Sequence, residues 1–460
     1  VKAVYRVIGI AAVLTLATAI AAGQTSSPAR GSGGPGLLSC SPAPCVLPPT
    51  QASEGGAEVA DAPIVADPLN PAHLLLGSDD ANCQWGVGFF TTSNDGSNWN
   101  RSCATQGIGP NFPNDNPMVG YDRKGVAYVA AVYFHEGYGT GLVAIQGSRD
   151  GVNWSEPVIV LEEGEFPYDA WLTVDTNVSS PYLNSLYVSA IVNTGEDYRL
   201  DVSHSNDGGA TWQSVAVIHA QIPPKIDQYT NMTVGGDGTV YLTWMYCNTG
   251  PYSCDNHLGY MVFSKSSDGG NTWSTPTLIT TVTLLSTPLP NTNVGVTNIP
   301  VVGVDNSDGL YAGNLYVVMY TWTGAYMQVQ VVRSTDGGNT WSKPVRVAPA
   351  SDTHDQFFPW LSVSSTGLVG VSWLDRRNDP ANIDYQAFAA ISTDGGQSFQ
   401  PNVQLTTKFS NPNNNGYEDN LWMGDYTGNT WDGPNYFIAA WMDSSNGVDM
   451  QDVVGGIRLK

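Results

Sequence analysis

Short runs of apolar or alternating residues come in pairs along this chain, and polar, glycine-rich turns separate them. Residues 171–175 and 185–192 form one such pair, a third run enters an Asp-Gly turn, and a fourth leaves it, as at 341–347. Runs of this length, rich in Val, Tyr, Trp and Thr, predict strands. The pair recurs at 117–121 with 126–130, 231–235 with 239–244, 300–304 with 315–319 and 359–363 with 368–373. Two further copies, 62–66 with 73–77 and 420–424 with 435–441, open and close the array.

The turns repeat as well. They read Ser93-Asn-Asp-Gly-Ser-Asn-Trp99, Ser148-Arg-Asp-Gly-Val-Asn-Trp154, Ser205-Asn-Asp-Gly-Gly-Ala-Thr-Trp212, Ser266-Ser-Asp-Gly-Gly-Asn-Thr-Trp273, Ser334-Thr-Asp-Gly-Gly-Asn-Thr-Trp341 and Ser392-Thr-Asp-Gly-Gly-Gln-Ser-Phe399. Glycine accepts the positive φ of a tight hairpin, the aspartate takes hydrogen bonds from the turn's own amides, and the aromatic folds back between neighbouring hairpins. Asp95, Asp150, Asp207, Asp268, Asp336 and Asp394 therefore have a structural role. Their spacings of 55, 57, 61, 68 and 58 residues match a four-stranded blade and exceed a solenoid rung. The expected fold is an all-β propeller of four-stranded antiparallel blades over residues 55–460. Seven strand pairs against six turns favour seven blades, with six as the alternative. The last unit has only three strands of its own, so its fourth must come from the N-terminal side and close the ring.

Composition adds the compartment. Residues 1–22 have a basic start, an apolar run and an Ala-Ile-Ala stretch, the pattern of a signal peptide, and residues 23–54 read as a Ser/Gly/Pro-rich linker. The expected location is extracellular or periplasmic, in a bacterium, with no membrane span. Six cysteines sort by proximity into Cys40 with Cys45, Cys83 with Cys103, and Cys247 with Cys254, which predicts three disulfides. A formal net charge of −23 makes nucleic acid a poor partner. The expected state is a monomer acting on an extracellular glycan or glycoprotein.

The turn motif resembles the sialidase Asp-box, with near-complete matches at 205–212, 266–273 and 334–341. The whole repeat resembles secreted bacterial proteins of the sialidase-like, BNR-repeat superfamily. Residues 373–380 (Trp-Leu-Asp-Arg-Arg-Asn-Asp-Pro) and 424–428 (Gly-Asp-Tyr-Thr-Gly) look like segments that recur in them. A true sialidase of this kind implies an Arg-Ile-Pro segment on the first blade, three arginines clamping the substrate carboxylate, a Tyr/Glu nucleophile pair and an aspartic acid. The first repeat here reads Glu58-Val-Ala-Asp-Ala-Pro-Ile64 and has no arginine.

Any site belongs on the face opposite the Asp-Gly turns. The candidate catalytic residues there are Asp169, Tyr417, Glu418, His354 and Asp355, and the candidate substrate-binding residues are Arg376, Arg377, Arg199, Tyr168, Tyr229 and Asp227. Paired carboxyl groups could cleave a glycosidic bond by general acid catalysis with nucleophilic or base assistance. An acid or amide at the start of most inner strands (Asp115, Asp169, Asp227, Asp355, Asp419) also suggests a shared structural role. Two functions follow: an exo-sialidase-like glycoside hydrolase, or a non-catalytic propeller binding glycans or proteins through aromatic loops such as 321–326. No cofactor is required; calcium is conceivable at Asp305-Asn-Ser-Asp-Gly309, and no other metal site is expected.

Overall fold

The inner two or three strands of each repeat are buried on both faces because neighbouring blades stack against them. Leu186–Asn193 and Val301–Val304 are accordingly almost continuous apolar runs, while the outer strand Thr277–Thr283 alternates exposed and buried positions. The computed structural model describes residues 40–460 apart from 54, 56, 105, 136–139, 195–196, 222–225, 249–253, 255, 286–287 and 417–420. The expected signal peptide, most of the linker, Tyr417, Glu418 and Asp419 lie outside the described residues.

Seven four-stranded antiparallel blades form the ring. The first is Ile64–Ala66, Leu74–Asp80, Val87–Thr92 and Asn100–Cys103. The second is Asn111–Tyr121, Ala127–His135, Thr140–Ser148 and the start of Val158–Val174; the rest of that long strand opens the third blade, with Leu186–Asn193, Tyr198–Ser205 and Gln213–Gln221. The fourth runs from Ile226–Val234 to Thr277–Thr283, the fifth from Val301–Val304 to Val345–Arg346, and the sixth from Gln356–Val363 to Val403–Gln404. Among the described residues there is no helix, and so none long and apolar enough to cross a membrane.

The seventh blade takes Gly428–Asp432, Tyr436–Asp443 and Gln451–Arg458 from the C-terminus and Cys45–Gln51 from the N-terminal side, paired Cys45 to Arg458 and Val46 to Ile457. This is the closure expected from the sequence, but its strand lies inside the segment 23–54 read as linker. Pro48 and Pro49 hid it: they cannot donate to a ladder, and they fall where the register shifts, between Leu47 and Thr50. An outermost strand tolerates this because its other edge needs no partner. Leu47 points inward and is fully buried, Val46 outward. Disulfides join Cys40 to Cys45 at the head of this strand, Cys83 to Cys103 in the first blade and Cys247 to Cys254 in the fourth.

The Asp-Gly turns join the third and fourth strands and satisfy themselves. In the third blade Ser205 Oγ donates to Asp207 Oδ1 (2.8 Å), which also accepts Thr211 N (2.9 Å); Thr211 Oγ1 donates to Asp207 Oδ2 (2.6 Å) and Trp212 Nε1 to Gly209 O (3.0 Å). The same bonds fix Asp268, Asp336 and Asp394. Donors around Asp207 and Asp336 hold both carboxyls down at about 2. In a turn one residue shorter, Asp150 Oδ1 likewise accepts Ser148 Oγ and Asn153 N.

The first turn departs from the sequence reading, which placed Asp95 in the anchoring position. Thr92 Oγ1 donates to Asn94 Oδ1 (2.9 Å), Gly96 N donates to Thr92 Oγ1 (3.1 Å) and Asn98 N donates to Asn94 Oδ1 (3.0 Å). Asn94, five residues before Trp99, stands where Asp207 stands before Trp212. Aligning on the acid misplaced the motif by one residue.

Candidate functional site

The inner strands bend at the face opposite these turns. Register shifts fall between Asp115 and Met118, Tyr168 and Trp171, Gln228 and Asn231, and Phe357 and Trp360. Within each bulge one non-glycine residue has positive φ: Asn116 (51°), Asp169 (49°), Tyr229 (58°) and Phe358 (47°); Asp61 (57°) adopts the same conformation in the first blade. Left-handed backbone costs such residues roughly 1–2 kcal/mol each and persists where the surroundings enforce it.

This bulge gives a common frame, and in it the recurrent acids of the inner strands are not equivalent. Asp169 occupies the left-handed position, Asp115 the one before, Asp227 two before and Asp355 three before. Their surroundings differ accordingly. Asp227 accepts Trp244 Nε1 (2.7 Å) within its own blade, and burial pushes its carboxyl up to about 7. Asp355 accepts Met327 N (2.9 Å) and Asn382 Nδ2 (2.6 Å) and lies 3.6 Å from Arg376.

Asp115 and Asp169 instead converge with Asp61, Asp79 and Asp425, so that four consecutive blades, the seventh through the third, meet in carboxylates. Asp61 Oδ1 accepts the amides of Asp425 (2.5 Å) and Tyr426 (3.1 Å), Asp115 Oδ1 accepts Asn116 N (2.7 Å), and Asp169 Oδ2 accepts Tyr229 N (3.0 Å). One oxygen from each of Asp61, Asp79 and Asp115 lies within 4.8 Å of the others. Asp61 and Asp79 are buried, whereas Asp115, Asp169 and Asp425 retain partial exposure.

Among the described residues no ion pair reaches these five carboxylates. Burial, and then the neighbouring acids, push Asp61 and Asp79 well above the usual carboxylate range. Asp115 is raised by burial, an effect partly offset by the Asn116 amide that donates to it. Burial raises Asp169 to about 8 and, with Asp115 beside it, Asp425 to about 7.

Aromatic rings adjoin the cluster. Trp171 lies 4.8 Å from Trp360 and 5.7 Å, edge-on, from Tyr426, whose hydroxyl donates to Pro117 O (2.9 Å). A small hollow, with a volume of about 10 Å³, is lined by Thr297, Ile299, Phe358, Pro359, Trp360, Asp425 and Tyr426.

Of the residues expected from the sequence, the structure brings Asp169 into this centre, with Tyr229 touching it through its amide. The other described candidates are engaged elsewhere. Arg376 is wholly buried, donating to Pro290 O (2.8 Å) and Asn382 O (2.9 Å). Arg377 pairs with Asp375 (2.5 Å) and Asp352 (3.0 Å) and covers the Phe388 ring at 4.3 Å, and Arg199 grips both oxygens of Asp201 at 2.8 Å. His354 Nδ1 meets Asp352 at 3.4 Å, and Tyr168 packs edge-on against Tyr198. In the loop at Asp305, the carboxylate accepts Ser307 N (2.9 Å), an ordinary Asx turn on the opposite face. Sequence reasoning left Asp61, Asp79, Asp115 and Asp425 out of the catalytic set. Asp61 precedes an inner strand of only three residues, and Asp425 lies in the quoted Gly-Asp-Tyr-Thr-Gly segment, the one signal that pointed to it.

No protein-family model matches the chain, and no curated protein does. Solved structures do match. A polysaccharide lyase of family PL25, an ulvan lyase bound to -[GlcA(1-4)Rha3S]-, superposes with a TM-score of 0.51 at 12% identity, over 88% of this chain and 95% of that one. A protein of unknown function from Dyadobacter fermentans DSM 18053 gives 0.50 at 12% identity, over 91% and 100%. The Hadza microbial sialidase Hz136 gives 0.45 at 14% identity, over 75% of this chain and 65% of the sialidase. The likeness is one of fold.

Proposed function

We propose that this protein is an extracellular enzyme that hydrolyses glycosidic bonds, with its site at the carboxylate-lined mouth of the propeller. The observation that carries the proposal is the convergence of Asp115, Asp169 and Asp425, each still touched by solvent, beside Trp360 and Tyr426. Cleaving a glycosidic bond needs a proton for the leaving oxygen and a carboxylate facing the developing oxocarbenium ion. Asp169, kept protonated by burial, suits the first role; Asp115 or Asp425 suits the second. Trp171, which keeps partial exposure while Trp360 and Tyr426 behind it are buried, offers an aromatic ring on which a sugar can stack. The three disulfides fit an oxidising compartment. The ulvan lyase that shares the propeller supports a glycan as the substrate class.

The substrate envisaged is uncharged at the cleaved unit. A sialoside or uronate would set its carboxylate beside a cluster of acids with no cationic partner among the described residues, since Arg199, Arg376 and Arg377 are bound to other groups. The test is hydrolysis by the purified protein across neutral, sialylated and uronate-bearing glycans. Release of a neutral sugar, with kcat lowered roughly 10²–10⁴-fold in Asp169→Asn and Asp115→Asn and unchanged in Asp95→Asn, is the expected result. Full activity in both site variants would remove the assignment. Saturable glycan binding without turnover would make this a binding propeller.

A further inference from the structure

From the geometry of Asp61, Asp79 and Asp115 we infer a binding site for a calcium-like divalent cation at the junction of the first and second blades. Calcium takes oxygen ligands at about 2.3–2.6 Å, so two oxygens on one ion are at most about 5 Å apart. One carboxylate oxygen from each of the three residues falls within 4.8 Å of the others. Magnesium, bound at about 2.0–2.1 Å in a strict octahedron, would need a tighter set.

A second observation is independent of the clustering. Asp61 Oδ2 and Asp79 Oδ1 are buried and have no hydrogen-bond partner in the protein, although each residue is more than nine-tenths buried. A buried carboxylate oxygen without a donor is costly, and a cation is one of the few groups that satisfies several at once. The other oxygen of Asp61 is held by two amides, which fixes the carboxylate. The backbone around it is equally determined. Val59 and Ala60 pair with Asp80 and Asp79, and Ser78 Oγ donates to Ala60 O (3.3 Å), so that Asp61 and Asp79 are held side by side. Asp115 comes from the next blade and is partly exposed, so the ion's remaining coordination positions open toward the funnel, to water or to a sugar hydroxyl. This site is distinct from the Asp305 turn, where Oδ1 accepts Ser307 N and, among the described residues, no group of three candidate ligands gathers around the remaining oxygen.

The inference goes beyond the glycosidase proposal and is read without turnover. The full chain, stripped with a chelator, is titrated with Ca²⁺ by calorimetry, and with Tb³⁺ by luminescence sensitised through Tyr426 and Trp360. One Ca²⁺ per chain is expected, with Kd on the order of 10⁻⁶–10⁻³ M, and a rise in unfolding temperature with Ca²⁺ exceeding that with equal Mg²⁺. Asp79→Asn and Asp115→Asn should each weaken binding at least about tenfold, since each removes an anionic ligand. Both variants relieve repulsion among neighbouring acids, so they should fold in the absence of the ion. Asp305→Asn should bind like the parent. Absence of both calorimetric heat and thermal shift in the folded parent would overturn the inference, as would loss of binding in Asp305→Asn with retention in Asp79→Asn. Calcium binding in a protein inert toward every glycan would leave the cation site standing and remove only the catalytic reading.

Discussion

A single side chain decides how each Asp-Gly turn is anchored, and the first turn shows that the anchoring position is defined by geometry rather than by residue type. Asn94 accepts from both Thr92 Oγ1 and Asn98 N, while Asp95 next to it sits at φ 56°, a conformation that Asp and Asn tolerate equally. Asn94→Ala is therefore expected to destabilise the protein by about 1 kcal/mol, whereas Asp95→Asn should change stability by less than about 0.5 kcal/mol. Thermal or urea unfolding of the two variants checks this; a larger loss in Asp95→Asn would restore the acid to the anchoring role. In the other five turns the aspartate itself accepts the turn's own amides, a purely local chemistry. Residue-level reading of the sequence failed where acids recur without equivalence: Asp115, Asp169, Asp227 and Asp355 all precede or enter an inner strand, but four different offsets from the bulge send them to different partners.

At the level of the element, strand pairs and their order were legible because burial on both faces leaves an apolar signature. The closing strand was not, because Cys45–Gln51 is half proline-interrupted and shows only one inward apolar residue. The structure makes a sharp distinction within it. Leu47 is fully buried against the seventh blade, and Val46 beside it is 40% exposed. Leu47→Ala should cost about 2–4 kcal/mol and Val46→Ala less than about 0.5 kcal/mol, read as shifts in the unfolding midpoint. If 23–54 were an unstructured linker, both would be neutral. Loosening this strand should also uncover the edge of Gln451–Arg458, so Leu47→Ala should associate more readily than the parent on heating.

At the scale of the whole molecule, the ring converts separate local bends into one site. Asp425 and Asp61 are 364 positions apart in sequence, yet an amide of one bonds the carboxylate of the other, a juxtaposition no local pattern could disclose. The site also lies within the field of a strongly acidic chain, with formal net charge −23. Fields of one sign focused by a cleft alter encounter rates and are screened over about 8–10 Å at physiological salt. A polyanionic glycan should thus approach slowly at low ionic strength and gain from added salt, whereas a neutral glycan should be nearly indifferent. Measured as kcat/KM from low to physiological salt, the neutral substrate is expected to vary less than about twofold and any uronate-bearing substrate to rise several-fold from a lower value. A bound divalent ion would not reverse the sign, because the three carboxylates of its site carry one more negative charge than it neutralises. Faster turnover of an anionic glycan at low salt than at high salt would mean that a cationic group not seen among the described residues serves the site, and the uncharged substrate class would have to be abandoned.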